Sequence, residues 1–465
     1  MQGSWRTTRS LFFLVSLILS VEGTSGNWAV LIAGSRYFWN YRHQADVCHA
    51  YHLMRRNGIP EDQVILMSYN DAADSADNPV RGTLYNKPTP EGVAGYDVNR
   101  GCKPSYTGSE VNSMNFLAVL KGDNSTTQGK PVLRSTREDR VFIYFADHGA
   151  VGLIAMPVGE PLYAKDLVDS LTYMWDNQMY KELVFYMEAC ESGSMFDGLL
   201  PTDINMYATT AANPDESSYG TYCGSDSVVD GTMIGSCLGD LYSVNFLENS
   251  DIPALFHSES LDGQFELIKN ETDLSHVQKY GTKLMGVDPI EWFLGAINFP
   301  SLALGDHGEV DEADEGLGGR QAAAVAALDA PKNGVDSRDI ALHTLRHKLL
   351  FATSQQEHDR FQAEIAAELA ARDRADDVFN RILLETSRGE AVPPLYGALV
   401  DHACLKASSS AVISRCGAWN DYSLKYVRVL AELCDAGYDV DRITVAVNTV
   451  CATEAQPQPQ DQAVW

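Results

Sequence analysis

Basic residues are scarce in this chain of 465 residues, which has 35 lysines and arginines against 63 aspartates and glutamates. The formal net charge is −28 and no basic patch dominates the sequence, so a nucleic-acid partner is not expected. Repulsion among so many carboxylates is relieved when they become protonated. The composition therefore suits a protein that works in an acidic compartment.

Long apolar segments are also scarce. The apolar run at 11–19 follows two arginines, precedes several small residues, and is shorter than a membrane span. It is typical of a cleaved secretory signal, which we place at 1–25. No other stretch approaches 18 apolar residues, so the mature chain is expected to be soluble and to have no membrane span. Two N-x-S/T sequons, at Asn124 and Asn270, are compatible with glycosylation in that pathway.

Metal-ligand and cofactor motifs are missing as well. His43, His49 and His52 lie on one predicted helix, but His43 and His49 are far apart around it. No carboxylate cluster completes a coordination shell for them. Neither a metal site nor a cofactor is predicted.

The nine cysteines are an odd number, so at least one of them is outside an intramolecular disulfide. Cys223 and Cys237 flank a loop rich in Gly, Ser and Asp and predict one disulfide. Cys48 lies in a stretch of helical periodicity, where burial is expected, and Cys102 and Cys190 remain unassigned. Two further disulfides are predicted among the four cysteines near the C-terminus: Cys404, Cys416, Cys434 and Cys451.

Apolar runs and helical patterns alternate along the first 300 residues. The helical periodicity is clearest at 42–57 and 162–180. Strands that alternate with helices form parallel sheets through βαβ units, so the predicted fold class is α/β. Five short apolar runs predict the strands, at 28–33, 64–69, 140–146, 183–187 and 204–208.

A different pattern begins after residue 300. The stretch 305–330 is first acidic and then rich in Gly and Ala, which is typical of an exposed linker. From Asp339 onward the pattern is helical. We therefore expect four parts: a signal peptide at 1–25, an α/β domain at 26–300, a linker at 301–338 and a helical domain at 339–465.

Two of the predicted strands end in residues with catalytic chemistry. His148 and Gly149 follow the third strand, and Cys190 follows the fourth. Chemistry in open α/β sheets lies beyond the carboxyl ends of the strands, so these residues are expected to meet. Alone, Cys190 would be interpreted as a buried structural cysteine and His148 as a core histidine. Together they predict a thiol nucleophile activated by an imidazole, with the backbone N–H of Gly149 open to an oxyanion.

Longer motifs surround these residues: NYRHQAD at 40–46, RNGIP at 56–60, FLAVL at 116–120, EACESGS at 188–194 and LGDLYS at 238–243. They resemble the motifs of legumains, asparaginyl endopeptidases of the caspase-like clan. The resemblance is strong over 27–285 and weaker over the C-terminal domain, whose four cysteines match the legumain propeptide. It implies a caspase-like, mainly parallel sheet flanked by helices, followed by an all-α prodomain.

The resemblance also implies an activity and its catalytic residues. Legumains are secreted, lysosomal or vacuolar zymogens that cleave proteins and peptides after Asn, and after Asp at lower pH. Cys190 matches the nucleophile, His148 the catalytic imidazole and Asn40 the residue that orients this imidazole. Gly149 matches the oxyanion position, and Asp147 matches an aspartate that is converted to a succinimide in some molecules.

Further residues match the legumain pocket for the side chain before the cut bond: Arg42, His43, Glu188, Ser217 and Asp240. An asparagine side chain has one acceptor oxygen and two donor hydrogens, which suits a site with both cationic donors and carboxylate acceptors. An ionised aspartate would be repelled and a protonated one admitted, so specificity is expected to broaden at acidic pH. Without the resemblance, Arg42 and Asp240 are equally consistent with an ordinary ion pair.

The C-terminal domain is expected to inhibit the peptidase domain in the zymogen. Its basic residues would pair with acidic groups near the cleft, and protonation of those groups would release it at low pH. Activating cleavage is expected in the linker after Asn333, with Asp329 and Asp336 as alternatives. The basic residues concerned are Arg338, Arg346 and Lys348.

Three other functions remain open. The acyl-enzyme on Cys190 can be captured by an amine, and the loop between Cys223 and Cys237 resembles plant-type legumains, some of which are peptide asparaginyl ligases. An inactive secreted binding protein is disfavoured because the predicted catalytic residues are intact. A glycosylphosphatidylinositol transamidase subunit usually has a C-terminal membrane span, which the sequence lacks.

Overall fold

The computed structural model describes residues 26–295, 333–395, 397–417 and 419–452. The predicted signal peptide at 1–25, the linker as far as residue 332 and the tail after residue 452 lie outside the described residues. None of the helices in the described ranges combines the length and the apolar character needed to cross a membrane.

Strands and helices are numbered in chain order. The strands are β1 (Asn27–Ala33), β2 (Val64–Ser68), β3 (Arg140–Ala146), β4 (Gly149–Ala150), β5 (Leu153–Ile154), β6 (Leu162–Tyr163), β7 (Glu182–Glu188), β8 (Met206–Thr210), β9 (Tyr219–Thr221), β10 (Val228–Val229), β11 (Thr232–Met233), β12 (Gly239–Asp240), β13 (Gln278–Gly281) and β14 (Val335–Asp336). The α-helices are α1 (Tyr41–Arg56), α2 (Ser113–Leu120), α3 (Ala164–Asp176), α4 (Leu241–Ser250), α5 (Pro253–Phe256), α6 (Leu261–Glu271), α7 (Glu291–Leu294), α8 (Ile340–Leu350), α9 (Gln355–Ser387), α10 (His402–Cys416), α11 (Val427–Asp435) and α12 (Val440–Cys451).

Six strands form the main sheet in the order β13-β8-β7-β3-β1-β2. The five strands from β8 to β2 are parallel, and their apolar side chains are buried on both faces, as their continuous apolar runs predicted. β13 pairs with β8 in antiparallel orientation. This edge strand was not predicted, because its sequence QKYG has no apolar run. The predicted α/β fold class is confirmed.

The ends of β3 and β7 are level, and this positions the candidate catalytic residues. Ala146, the last residue of β3, pairs with Glu188, the last residue of β7. The N–H of Asp147 then donates to the carbonyl of Glu188 at 3.0 Å. His148 and Cys190 each come two residues after a paired position, so they leave the sheet side by side.

The C-terminal part consists of the helices α8 to α12, as the sequence predicted. Its apolar side chains share a buried cluster with residues of β4, β5 and β6. Leu399 and Leu405 pack closely on Gly152, where a Cβ atom would lie 2.9 Å from each leucine. The helical part is therefore docked onto the peptide segment that follows His148.

Disulfides join four pairs of cysteines in the described residues: Cys48–Cys102, Cys223–Cys237, Cys404–Cys434 and Cys416–Cys451. The last two join α10 to α11 and to α12. The bridge between Cys48 and Cys102 was not predicted; its two cysteines are 54 positions apart, and no local pattern connects them. Cys190 is the free cysteine of the described part of the chain. Asn124 and Asn270 are exposed, and their glycosylation stays a prediction.

Candidate active site

Cys190 lies directly beyond β7 and is 2% exposed. Its Sγ accepts a hydrogen bond from the backbone N–H of Ser218 at 3.3 Å. Burial raises the pKa of the thiol to about 11, although the nearby guanidinium of Arg338 acts in the opposite direction. In this closed state the sulfur is therefore a thiol at neutral pH and is a poor nucleophile.

His148 forms a hydrogen bond with Asn40, and the orienting role that the resemblance implied for Asn40 stays a prediction. The Nε2 atom of His148 lies 2.8 Å from Oδ1 of Asn40, whose Nδ2 donates to the carbonyl of Arg36 at 3.0 Å. Because the amide oxygen only accepts, Nε2 carries the proton and Nδ1 has the lone pair. Burial, followed by the charges of Arg42 and Arg338, lowers the pKa of His148 well below its usual range. The imidazole is therefore neutral, and Nδ1 is a free base.

Gly149 has a backbone N–H that suits an oxyanion donor. A Cβ atom at this position would lie 2.2 Å from the carbonyl oxygen of Cys190, so only glycine fits. The N–H of Ala155 donates to the carbonyl of His148 at 3.0 Å, so the next pair, Gly149 and Ile154, is a non-hydrogen-bonded pair of the antiparallel ladder. The N–H of Gly149 is consequently directed away from β5.

Four of the five predicted pocket residues lie together near the end of β7, the strand that precedes Cys190. The Nε atom of Arg42 donates to Oδ1 of Asp240 at 2.7 Å, and both side chains are buried. His43, in the same helical turn, places Nε2 at 3.4 Å from Oδ2 of Asp240. The Oε2 atom of Glu188 accepts from the backbone N–H and the hydroxyl of Ser243, at 3.1 and 3.0 Å.

Three buried polar atoms of this pocket have no hydrogen-bond partner among the described residues: Arg42 Nη2, Glu188 Oε1 and Asp240 Oδ2. Burial, followed by the charge of Asp240, raises the pKa of Glu188 well above its usual range. A protonated Glu188 carries its proton on Oε1, because Oε2 already accepts two hydrogen bonds, and Oε1 keeps a lone pair. The unused groups are then the donors of Arg42 and Glu188 and the acceptors of Glu188 and Asp240. An unpaired buried polar atom costs about 1–3 kcal/mol, so a ligand that satisfied all three atoms would be stabilised here. That these residues form the substrate pocket stays a prediction.

Asp147 is buried in the same wall. Both of its carboxyl oxygens lack a hydrogen-bond partner in the described part of the chain, and burial raises its pKa well above the usual range. Ligand atoms of His43, Asp147 and His148 all lie within 4.8 Å of one another, an approach that the sequence did not predict. The Nδ1 atom of His43 is engaged by the Ser35 hydroxyl at 2.6 Å. The absence of a metal site and the succinimide at Asp147 both stay predictions.

The last residues of the predicted linker, 333–338, lie within the described part of the chain. β14 pairs with β9 in antiparallel orientation, with Val335 opposite Gly220 and Asp336 opposite Tyr219. The next residue, Ser337, is buried, and its N–H donates to the carbonyl of Ser218 at 3.0 Å. The end of the linker, from Val335 to Ser337, thus lies as an added strand along β9, beside the residue whose N–H binds the thiol.

Arg338, the next residue, binds three groups in the residues around Cys190. Its Nη2 donates to Oε2 of Glu191 at 2.6 Å and to the carbonyl of Gly149 at 3.3 Å. Its Nη1 donates to the hydroxyl of Ser217 at 2.8 Å. Ser217, predicted to form part of the pocket, is therefore bound to the linker in this state. The acidic partner of Arg338, Glu191, was not identified from the sequence.

The other two basic residues contribute less. The Nζ atom of Lys348 is 3.6 Å from Oδ1 of Asp77, and Arg346 is exposed without an ion pair to any described residue. Asp421, from the helical part, was not predicted at all. Its Oδ1 lies 3.5 Å from Nε2 of His148, and burial raises its pKa to about 6. It follows His148 by more than half the chain, so no local pattern marks this contact.

Comparison with known proteins decides the family. A model of the peptidase C13 family matches residues 27–296, and a model of the legumain prodomain matches residues 363–451. The chain belongs to the peptidase C13 family. The predicted resemblance to legumains is confirmed, and the C13 chain is a cysteine endopeptidase made as a zymogen with its own propeptide.

Relatives of this C13 peptidase cover nearly the whole chain. Legumain from Bos taurus is 38% identical over 94% of this chain and 98% of the bovine protein. The vacuolar-processing enzyme of Vicia sativa is 37% identical over 93% of this chain and 86% of the plant protein. A solved structure of caspase-1 from Spodoptera frugiperda has a TM-score of 0.32 at 7% identity, covering 56% of this chain and 89% of that chain.

Proposed function

We propose that this C13 peptidase hydrolyses protein and peptide bonds after asparagine, and after aspartate at acidic pH. The observation that carries the proposal is the set of three unpartnered atoms in the pocket, Arg42 Nη2, Glu188 Oε1 and Asp240 Oδ2. A carboxamide satisfies all three, because its oxygen accepts from Arg42 and its two N–H bonds point to the two carboxyl groups. The charge of Arg42 is already balanced by Asp240, so no spare cation holds an ionised aspartate.

The reaction follows from the atoms around Cys190. Once the linker is removed, Nδ1 of His148 takes the thiol proton and the sulfur attacks the carbonyl carbon of the asparagine residue. The N–H of Gly149 stabilises the negative oxygen of the tetrahedral intermediate. The imidazolium gives its proton to the leaving amine, and water then hydrolyses the acyl-enzyme. Asn40 is a positioning residue, which holds His148 in the tautomer that this sequence needs.

We expect the mature enzyme to prefer Asn over Asp before the cut bond by at least about 100-fold in kcat/KM at pH 7. The preference should fall to about ten-fold or less near pH 4, because a free aspartate side chain protonates at about 3.9 and then resembles the amide. The measurement uses peptides that differ only at this residue, with Gln as a third member. Cleavage of all three at similar rates, or a ratio that does not change with pH, contradicts the proposed pocket.

The same assay separates hydrolysis from ligation. An amine nucleophile added near neutral pH competes with water for the acyl-enzyme on Cys190. Mass spectrometry of the products distinguishes the free acid from the amide. A product that is mainly amide would favour the ligase over the endopeptidase.

We propose further that acid releases the propeptide by protonating histidines of its first helix. His343 and His347 of α8 pack on the turn at Gly224, and burial lowers the pKa of both below the usual value. The charge of His347, followed by that of Arg346, also lowers the pKa of His343, whereas Asp226 raises the pKa of His347. Because their pKa is lower when docked than when free, the docked form is stabilised at neutral pH and loses this advantage as pH falls through about 6.5.

Replacing both histidines with glutamine should therefore lower the pH at which the zymogen becomes active, by about half a unit. His257→Gln is the matched control, since His257 pairs with Glu291 within the peptidase part. The measurement is the midpoint of activity after incubation across a pH series. An unchanged midpoint in the double variant would assign the release to other groups.

We propose a destination for the protein from its predicted secretory signal, its disulfides and the proposed acid activation. A secretory signal, disulfides and acid activation together suit the secretory pathway, ending in a lysosome or vacuole or outside the cell. The name of the Vicia sativa relative supports a vacuolar destination. Fractionation of cells that express the tagged chain tests this proposal.

A further inference from the structure

Glu191, the residue after the nucleophile, has no part in the function proposed so far, yet it is held in one place. It adopts a left-handed backbone conformation with φ of 46°, and its N–H donates to the carbonyl of Glu216 at 2.7 Å. Its side chain is 8% exposed. A carboxylate so nearly buried beside the reacting sulfur requires a cationic partner.

The linker supplies that partner from a defined position. Antiparallel pairing of β14 with β9 continues through Ser337, so Ser337 lies opposite Ser218, whose N–H binds the thiol. Arg338 is the residue that follows, and its guanidinium donates to Glu191, the residue after the nucleophile. Extended chains that add to the same edge strand form the same main-chain hydrogen bonds with it. A substrate bound in this register and direction has its residue before the cut bond at the place of Ser337 and its next residue at the place of Arg338.

The cations near Glu191 belong to the segments that depart on activation. Arg338 and Arg428 are the positive groups that act on this carboxyl group, and Asp336 is a negative one. Arg428 is engaged by Asp215 at 2.8 Å, and it lies on α11 of the propeptide. Once the linker and the propeptide leave, Glu191 faces the cleft without these two cations.

We propose that Glu191 is a specificity residue of the mature peptidase, which binds a lysine or arginine directly after the cut bond. A guanidinium at this place can also donate to the Ser217 hydroxyl and the Gly149 carbonyl, as Arg338 does. An acidic residue at the same place meets a carboxylate and is disfavoured. This inference rests on the proposed function, because it concerns the substrate of that same site.

The test uses mature enzyme and peptides with Asn before the cut bond and Arg, Gln or Glu after it. We expect kcat/KM for Arg to exceed that for Gln by about ten-fold, with Glu below Gln. Equal rates for the three peptides, or a preference for Glu, overturn the inference while leaving the proposed function intact. Failure to cleave any of them, in enzyme whose thiol is titrated as active, counts against the proposed function instead.

A variant of Glu191 tests whether this residue causes the preference for a basic residue after the cut bond. In Glu191→Gln the Arg-to-Glu ratio should fall to near one, whatever the absolute rates are. Asp215→Asn is the matched control: it removes a neighbouring negative charge that pairs with the propeptide but does not contact Arg338, so the ratio should persist. A ratio that survives in Glu191→Gln, or that collapses equally in Asp215→Asn, overturns the assignment. If Glu191→Gln does not fold, the wild-type peptide series still decides whether the preference exists.

Discussion

Replacing Cys190 with alanine is expected to lower peptidase activity by at least about 10⁴-fold, because the sulfur is the atom that forms the acyl-enzyme. The variant should fold normally, since the side chain it removes is small and its hydrogen bond to Ser218 is weak. Activity on an Asn-containing peptide after acid incubation is the measurement, with thermal unfolding as the check on folding. Ser225→Ala, which removes an exposed hydroxyl from the Cys223–Cys237 loop, is the control. Equal activity in Cys190→Ala and the wild type would remove the enzymatic assignment of this residue.

The same variant reveals how the linker is cut. Asn333 is exposed, and its side-chain amide donates to Oδ2 of Asp226 at 2.9 Å. It precedes Ser337, which lies opposite the residue that binds the thiol, by four residues. Its peptide bond is therefore out of reach of the thiol in the same molecule. We propose that cleavage after Asn333 occurs between molecules. Wild-type enzyme should then cut the Cys190→Ala zymogen at this bond, as intact mass would report, and should not cut it when Asn333 is also replaced by alanine. Cleavage of that double variant at its normal rate would identify Asp329 or Asp336 instead.

Replacing Arg42 with methionine is expected to lower both activity and stability. Arg42 is fully buried and pairs with Asp240, while Asp46 and Glu188 lie close by in the same buried cluster. Removal of one partner of a buried ion pair leaves an uncompensated charge and costs about 3–5 kcal/mol in the free energy of unfolding. The pocket also loses its donor for the substrate amide, so kcat/KM should fall by at least about 100-fold.

Denaturant unfolding at several pH values measures this effect. The loss of unfolding free energy in Arg42→Met should be largest at pH 7. At this pH the buried carboxylates must either stay charged without a partner or take up a proton that the solvent supplies only at a free-energy cost. The loss should shrink as pH falls towards 4, where these groups are protonated in the unfolded chain as well. Arg56→Met is the matched control, since Arg56 is 46% exposed and its pair with Asp251 should contribute about 1 kcal/mol or less. A deficit that is equal in both variants contradicts the buried-pair argument.

The sheet could be predicted from the sequence where burial is complete. β1, β3 and β7 are continuous apolar runs, and the predicted bounds agree with the observed ones to within about two residues. β8 begins and ends two residues later than predicted, because Thr209 and Thr210 are polar but lie in the strand. The short strands β9, β12 and β14, which form a small sheet of their own, have too few residues for any periodicity.

The candidate site was predictable only in part, because several of its contacts join residues that are far apart in the sequence. Residues that follow long strands, such as His148 and Cys190, are fixed by the ends of those strands. The contacts of Arg338 with Glu191 and of Asp421 with His148 depend on how the helical part docks, which no local pattern encodes. The Cys48–Cys102 bridge was missed because pairing across 54 positions has no signature in a single sequence.

That bridge has a consequence for the redox behaviour of the enzyme. Cys48 belongs to α1, the helix whose first turn carries Arg42 and His43, and its side chain is 3% exposed. Thiol–disulfide exchange requires access to a sulfur atom, and Cys102 is only half-buried, so a small thiol reductant can attack this bridge mainly at Cys102. Once the propeptide has gone, the sulfur of Cys190 has to be open to substrate and therefore to oxidants as well. A mild reductant should then restore an oxidised nucleophile while the helix that shapes the specificity pocket stays anchored.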